Sequence, residues 1–263
     1  MDFEKSYDSL KWDFLDLVLE KMGFGSKWRG WITGCLENST ASVLVNGSPT
    51  REFEICRGLR QGHPLSPFLF ILAMEGLHSV IQKAEEKSLF HGATIGKGEL
   101  PLSHLFYTDD AVFGGEWSQS NARNIVRILR CFYLISGLKI NIQKSKLFGI
   151  GVDCMELENM SRVVGCGVSK IPFNYLDLPV GCNMAKIDAW KWVVDKFIYK
   201  LSNWKVRTLS VGGRVTLLKS VLGSLTTYYL SIFKVPGAVE KVLESLRNRF
   251  FGGGDFGEKK LLG

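Results

Sequence analysis

Phe106-Tyr107-Thr108-Asp109-Asp110-Ala111-Val112-Phe113 sets two adjacent carboxylates in the middle of an apolar, strand-like run. Residues 105–107 and 111–113 read as two short strands, which places Asp109 and Asp110 at the tip of a hairpin. Successive side chains on a regular strand point to opposite faces, so neighbouring acids converge only where the backbone turns. Such a turn suits a hard divalent cation held by one or two carboxylates plus substrate phosphates, as in phosphoryl or nucleotidyl transfer. A solvated Asp-Asp turn has the same sequence, so the rest of the chain has to decide.

The 263 residues, 46% hydrophobic and 22% charged, suffice for a substantial core and argue against wholesale disorder. Lys and Arg outnumber Asp and Glu by 33 to 26, and this formal charge of +7 favours a polyanionic partner. The six cysteines (Cys35, Cys56, Cys131, Cys154, Cys166, Cys182) form no Cys-x-x-Cys pair and the four histidines are scattered, so no zinc is expected. No secretory signal precedes the cysteines, so reduced thiols in an intracellular protein are expected. No apolar run reaches the ~20 residues of a membrane span, so no membrane partner is expected either.

Working outward, Asp8-Ser9 predicts the cap of a helix to about residue 22, with Trp12, Leu15, Val18, Leu19 and Met22 on one face. A second helix is expected over 27–36, then a strand pair, 41–46 with 51–56, joined through Asn46-Gly47-Ser48-Pro49. A Gly-rich basic turn, 57–62, leads into a long apolar helix over 64–87. Another helix spans 120–135 and closes at Gly137, and 138–150 is strand-like. Beyond residue 185 helical periodicity dominates, at 190–204, 213–222 and 239–251. This predicts a separate helical region over 186–251 and a flexible tail over 252–263.

Three further stretches stand in order with the hairpin: Asp2-Phe3-Glu4-Lys5-Ser6-Tyr7-Asp8, Gly58-Leu59-Arg60-Gln61-Gly62-His63-Pro64-Leu65-Ser66-Pro67, and Ser136-Gly137-Leu138-Lys139-Ile140-Asn141-Ile142-Gln143-Lys144-Ser145. In this order and spacing the four resemble the palm motifs of reverse transcriptases of non-LTR retrotransposons, the LINE type abundant in plant genomes. Tyr175-Leu176-Asp177-Leu178-Pro179-Val180-Gly181 looks like the next block, and Leu201-Ser202-Asn203-Trp204-Lys205 and Leu209-Ser210-Val211-Gly212-Gly213-Arg214 are similar to the thumb-side region. The resemblance implies an α+β fold: a polymerase palm, an antiparallel sheet with packed helices, over 1–185 without the fingers, then a mainly α-helical thumb-like region. It implies an RNA-directed DNA polymerase working by a two-metal mechanism on magnesium, with manganese an alternative. Its partners would be an RNA template, a DNA primer and deoxynucleoside triphosphates, and its compartment the nucleus.

Carried over by residue, Asp2 and Asp109 would bridge the metals, Asp110 would support the first, and the Phe3 carbonyl would be a backbone ligand. Tyr7 would reject a 2′-hydroxyl, Gln61 and Gly62 would contact the incoming nucleotide and template, and Lys144 would neutralise or protonate pyrophosphate. Trp204, Lys205, Arg207, Arg214 and Lys219 would form a duplex-backbone and base-stacking surface. Without the resemblance, Tyr7 fits core packing, Gln61-Gly62 a loop capping the next helix, Lys144 a solvated cation, and the basic stretch an amphipathic helix. Glu4 and Asp8 are expected as surface and helix-cap residues.

Asp2 directly follows Met1, so it is expected on a frayed strand, poorly held, and the isolated chain is expected to be inactive or nearly so. The other reading is a non-catalytic nucleic-acid-binding remnant of a retrotransposon. His63 stands where the family is usually acidic, Thr108 where it has alanine, and Asp177 where it has glycine. Thr108 is expected to be harmless; Asp177 would strain a turn if that position had positive φ. Asp255-Phe256-Gly257 spells a kinase metal motif without its companion loops and carries no weight.

Overall fold

The computed structural model describes residues 1–37, 39–96, 100–108, 110–202 and 208–253, with the backbone alone at 221–222 and 225–226. It divides into two compact units, Met1–Ser169 and Lys170–Gly263, and mixes helix with short strands, an α+β arrangement.

In the first unit, β1 (Phe3–Glu4) is followed by a single helical turn, α1 (Ser6–Ser9), then by α2 (Trp12–Lys21) and α3 (Ser26–Glu37). The helix expected over 8–22 is therefore broken at Leu10 and Lys11. Leu10 is extended and fully buried; its carbonyl accepts from Gly58 N at 2.7 Å, and Lys11 N donates to Ser136 O at 2.8 Å. Tertiary bonds thus replace the helical ones there, overriding local propensity. Phe14, Leu15, Val18 and Leu19 face the core from α2, whereas Met22, assigned to that face by periodicity, is exposed.

Four two-residue strands come next: β2 (Thr40–Ala41), β3 (Leu44–Val45), β4 (Ser48–Pro49) and β5 (Phe53–Glu54). β2 pairs with β5 and β3 with β4, two short ribbons in place of one continuous pair. α4 (Ser66–Glu86) is the central helix; Leu69, Phe70, Ala73, Met74, Leu77, Ile81 and Ala84 recur at helical spacing and are all buried. Pro67 in its first turn lacks an N–H that would have no intrahelical partner there.

Beyond it lie two hairpins, β6 (Ala93–Ile95) with β7 (Leu100–Leu102), and β8 (His104–Tyr107) with β9 (Asp110–Phe113). α5 (Gln119–Ser136) begins where Ser118 Oγ accepts Asn121 N at 3.1 Å and ends at Gly137, φ 80°, whose N–H returns to Tyr133 O. A Cβ at residue 137 would collide with the Ser9 carbonyl oxygen, which ties the end of α5 to the end of α1.

The strand expected over 138–150 is two, β10 (Lys139–Ile140) and β11 (Lys146–Leu147), separated by a turn. α6 (Cys154–Val164), capped by Asp153 and Gly165, and β12 (Gly167–Val168), parallel to β11, complete the unit.

The second unit opens with the hairpin β13 (Phe173–Tyr175) and β14 (Leu178–Val180). Its turn residues Leu176 and Asp177 have φ of 50° and 62°. A 3-10 turn (Ile187–Trp190) leads into α7 (Lys191–Ser202); α8 (Val211–Leu217) runs through a π segment (Leu218–Leu222) into α9 (Gly223–Ile232), and α10 (Gly237–Phe251) follows. The helix expected over 213–222 is thus part of a run from 211 to 232. Trp190, Val193, Val194, Phe197 and Leu201 pack with Tyr229, Val239, Leu243, Leu246 and Phe250 in this unit's own core.

Candidate active site

The site lies where two two-stranded antiparallel sheets, β8-β9 and β1-β10, are joined by the N-terminal segment through a single bridge. Phe3 pairs with Ile140 on one side, and Asp2 bridges Asp110 on the other. Met1 and Ala111 exchange backbone bonds, Ala111 N to Met1 O at 2.8 Å and the Met1 amino group to Ala111 O at 2.7 Å. Asn141 N donates to Asp2 O at 2.8 Å. Asp2 is therefore held from both sides; the frayed strand expected for it is not what the structure shows. The physical reason is the sheet: a short segment gains its order from two neighbours rather than from its own length.

The exchange between Met1 and Ala111 makes Asp2–Asp110 the non-hydrogen-bonded kind of antiparallel pair, whose Cα atoms lie about 4.5 Å apart with side chains on one face. Strand alternation gives the two faces opposite characters. Phe3, Ala111 and Ile140 are buried on one, while Asp2, Glu4, Asp110, Lys139 and Asn141 are half-buried or exposed on the other. Two carboxylates directly opposite each other repel unless a cation lies between or beside them. A hard divalent ion with oxygen ligands fits that donor set. Asp110 is the first residue of β9, paired with Tyr107, rather than part of the hairpin tip as expected from sequence, because the strand pairing extends one residue further than the apolar run. Asp109 lies outside the described residues, as do Trp204, Lys205 and Arg207. Thr108 stands at φ 51°, in the left-handed region that a β-branched side chain rarely adopts.

Beside the carboxylates opens a cleft of about 530 Å³ lined by Asp2, Phe3, Glu4, Lys5, Ser9, Arg57, Tyr133, Gly137, Lys139, Asn141 and Lys144. It brings Lys144 to the same cleft as Asp2. Asn141 arranges this: its Oδ1 accepts Lys144 N at 3.1 Å while its own N–H holds Asp2. Sequence reasoning missed Lys5, Arg57, Lys139 and Asn141. The signal was present, since Lys139 and Asn141 alternate in strand register and Lys5 and Arg57 lie within or beside the quoted motifs. Lys139 pairs with Glu4 at 3.0 Å, and the half-buried Glu4, expected as a surface residue, lines the cleft with it.

Tyr7, Gln61 and Gly62 are not among the residues that line this cleft; Tyr7 and the Gly-rich loop pack against each other beside the core. Tyr7 stacks on Phe70, with ring centroids 5.1 Å apart and planes at 20°. Leu59 N donates to the Tyr7 carbonyl, Gly58 N to Leu10 O, and Trp12 Nε1 to Gly58 O at 2.7 Å. Gly58, φ 91°, could not carry a Cβ, which would lie 2.8 Å from Asp8 O. Gly62, φ 80°, needs glycine for its backbone angle alone, because nothing stands within 4 Å of a Cβ there. Gln61 is exposed and donates to Asp8 Oδ1 at 3.4 Å, so Asp8 holds this loop rather than capping α2.

Beneath the hairpin, on the core face of β8, His104 Nε2 lies 2.7 Å from His78 Nδ1 of α4, and Ser103 Oγ lies 2.9 Å from His104 Nδ1. Burial first, then the neighbouring His78, hold the His104 imidazole below its ordinary pKa, against the opposing pull of Glu85 and Glu75.

In the second unit Arg214 donates to Leu209 O at 3.2 Å and to Phe251 O at 2.8 Å, closing the carbonyl end of α10. Lys219 lies exposed in the π segment. Asp177 does occupy a positive-φ turn, and Lys196 Nζ binds its carboxylate at 2.8 Å. That pairing raises the Lys196 pKa.

No described helix is long and apolar enough to cross a membrane. Residues 1–185 match the family described as reverse transcriptase (RNA-dependent DNA polymerase). The retrovirus-related Pol polyprotein from the type-1 retrotransposable element R2 of Popillia japonica is 30% identical over 146 residues, 55% of this chain and 20% of that protein. An uncharacterized mitochondrial protein of Arabidopsis thaliana is 32% identical over 108 residues, 41% of this chain and 88% of that protein. The Pol polyprotein from the type-2 element R2DM of Drosophila melanogaster is 27% identical over 150 residues, 57% of this chain and 13% of its own length. The chain thus spans a fifth or less of these two polyproteins. With its hairpin, Gly-rich loop and N-terminal strand all inside the matched region, the chain belongs to the reverse transcriptase family and carries a domain of the non-LTR retrotransposon type.

Proposed function

We propose that the open face of the bridged β8-β9 and β1-β10 sheets is the palm of an RNA-directed DNA polymerase, with Asp2, Asp109 and Asp110 as its metal-binding carboxylates. The observation that carries this is the Asp2–Asp110 bridge, which sets acids 108 residues apart in sequence side by side on an accessible face. When bound, a magnesium pair supplies the Lewis acidity that activates a primer 3′-hydroxyl and offsets charge on the leaving pyrophosphate. The chain's own residues position and select. Asp2 and Asp110 fix the point of reaction and the Phe3 carbonyl adds a backbone ligand. Tyr7 meets the sugar, Gln61 and Gly62 meet the nucleotide and template, and Lys144 faces pyrophosphate from the cationic cleft. The palm spans 1–185 and a thumb-like region 186–251, which carries Trp204, Lys205, Arg207, Arg214 and Lys219 as its nucleic-acid-binding residues.

Extension of a DNA primer on an RNA template with magnesium or manganese tests the reading. Extension that is lost in Asp109→Ala and in Asp110→Ala supports it. Extension that survives both substitutions overturns the metal-site assignment. Salt-sensitive binding of the hybrid by the wild-type chain, with no extension under either metal, supports the non-catalytic reading instead.

A further inference from the structure

We propose that Phe70 is a positioning residue for sugar selection, setting where Tyr7 stands; this rests on the reading of Tyr7 given above. Phe70 lies on α4, 1% exposed, and touches two site residues at once. Its ring stacks on Tyr7 at 5.1 Å and 20° and meets Phe3 edge-on at 6.4 Å and 85°. Phe3 follows Asp2 in the strand, so one buried ring fixes the spacing between the carboxylate and the aromatic that would meet C2′. The backbone of Tyr7 is fixed separately, by Leu59 N on its carbonyl. The Tyr7 phenol oxygen has no hydrogen bond to any described residue, which leaves the Phe70 face to set the plane of its ring.

Steric rejection of one hydroxyl depends on contacts near 3.5–4.0 Å, so a gate that turns or recedes by a fraction of an ångström loses selectivity before it loses binding. Phe70→Leu and Phe70→Met keep the site apolar but remove the flat face. The residues around Phe70 belong to the core rather than to the cleft, so the change reaches substrate only through Tyr7 and Phe3.

The test compares Phe70→Leu, Phe70→Met, Tyr7→Val and Phe14→Leu on an RNA-template, DNA-primer duplex. Phe14 is the core control, 6% exposed and edge-on to Phe132 at 5.5 Å. Two ratios are read: incorporation of dATP over ATP, and, independent of turnover, their dissociation constants with calcium present. Melting temperatures show which variants are folded. The expected result is loss of deoxynucleotide preference in Tyr7→Val and a roughly tenfold reduction in both Phe70 variants, the scale of one steric misfit in a pocket. Phe14→Leu should lower the melting temperature without moving either ratio. An unchanged ratio in the Phe70 variants while Tyr7→Val shifts it refutes the role of Phe70 alone. An unchanged ratio in Tyr7→Val, or a wild-type chain with no preference in either readout, overturns the Tyr7 reading and this one with it.

Discussion

Gly58→Ala isolates the contact that joins the N-terminal motif to the Gly-rich loop. An alanine Cβ would sit 2.8 Å from Asp8 O and 2.9 Å from both Asp8 C and Asp8 Cα, all backbone atoms with no rotamer to escape into. The residue also stands at φ 91°, which costs an L-residue roughly 1–2 kcal/mol. Relief of the overlap requires the loop to withdraw. Three hydrogen bonds go with it: Gly58 N to Leu10 O, Leu59 N to Tyr7 O, and Trp12 Nε1 to Gly58 O. At about 0.5–1.5 kcal/mol each these bring the total to roughly 3–6 kcal/mol, a large part of a domain's whole stability. Gly62→Ala is the matched control, because φ is 80° there and nothing lies within 4 Å of its Cβ. It should cost only the conformational part, about 1–2 kcal/mol. Urea denaturation of both variants reads the difference. If Gly58→Ala falls within about 0.5 kcal/mol of Gly62→Ala, the close approach is not what holds this loop.

Further outcomes follow from the same geometry. The folded pKa of His104 lies below that of free imidazole, so the unfolded chain binds more protons and stability falls as pH drops through about 6.5. The urea midpoint should therefore be lower at pH 5.5 than at pH 7.5, and His104→Gln should remove most of that difference; a midpoint equally pH-dependent in the variant contradicts this. Thr108→Gly relieves a β-branched residue at φ 51° and should stabilise the chain by about 0.5–1 kcal/mol; a loss of stability would show the position is not strained. Arg214→Met removes the guanidinium from Leu209 O and Phe251 O and should cost about 1–2 kcal/mol in thermal unfolding. Lys219→Met should leave stability unchanged but lower the salt slope of nucleic-acid binding by about one; the reverse pattern would exchange the two roles.

The hairpin at 106–113 was legible because two short apolar runs flank a pair of acids, although Asp110 stands in β9 rather than in the turn; α4 and α5 were legible because their apolar spacing is long and their ends carry Pro67 and Gly137. The break at Leu10 was not legible, since it is made by Gly58 and Ser136, residues remote in sequence that local periodicity does not register. The same limit governed Asp2. Its position at the start of the sequence suggested fraying, whereas its order comes from Ala111 and Asn141, over a hundred residues away. Asp8, readable as a helix cap, was drawn to Gln61 for that reason. Arg214 read as a surface cation because its acceptors are carbonyls at the far end of another helix, invisible in composition. Asp177 was the opposite case: strain there was expected only if the turn required positive φ, and the turn does, at 62°.

The proposed metal site requires Asp2 and Asp110 to share one metal-binding face. The most direct measurement is a manganese titration of the folded chain followed by electron paramagnetic resonance, on wild type, Asp2→Asn and Asp110→Asn. Wild type should bind manganese, each single substitution should weaken that binding at least about tenfold, and the double variant should lose little more, because the two acids serve one site. Manganese binding unchanged in Asp2→Asn, or losses that simply add in the double variant, would mean that the two carboxylates stand side by side without forming a site.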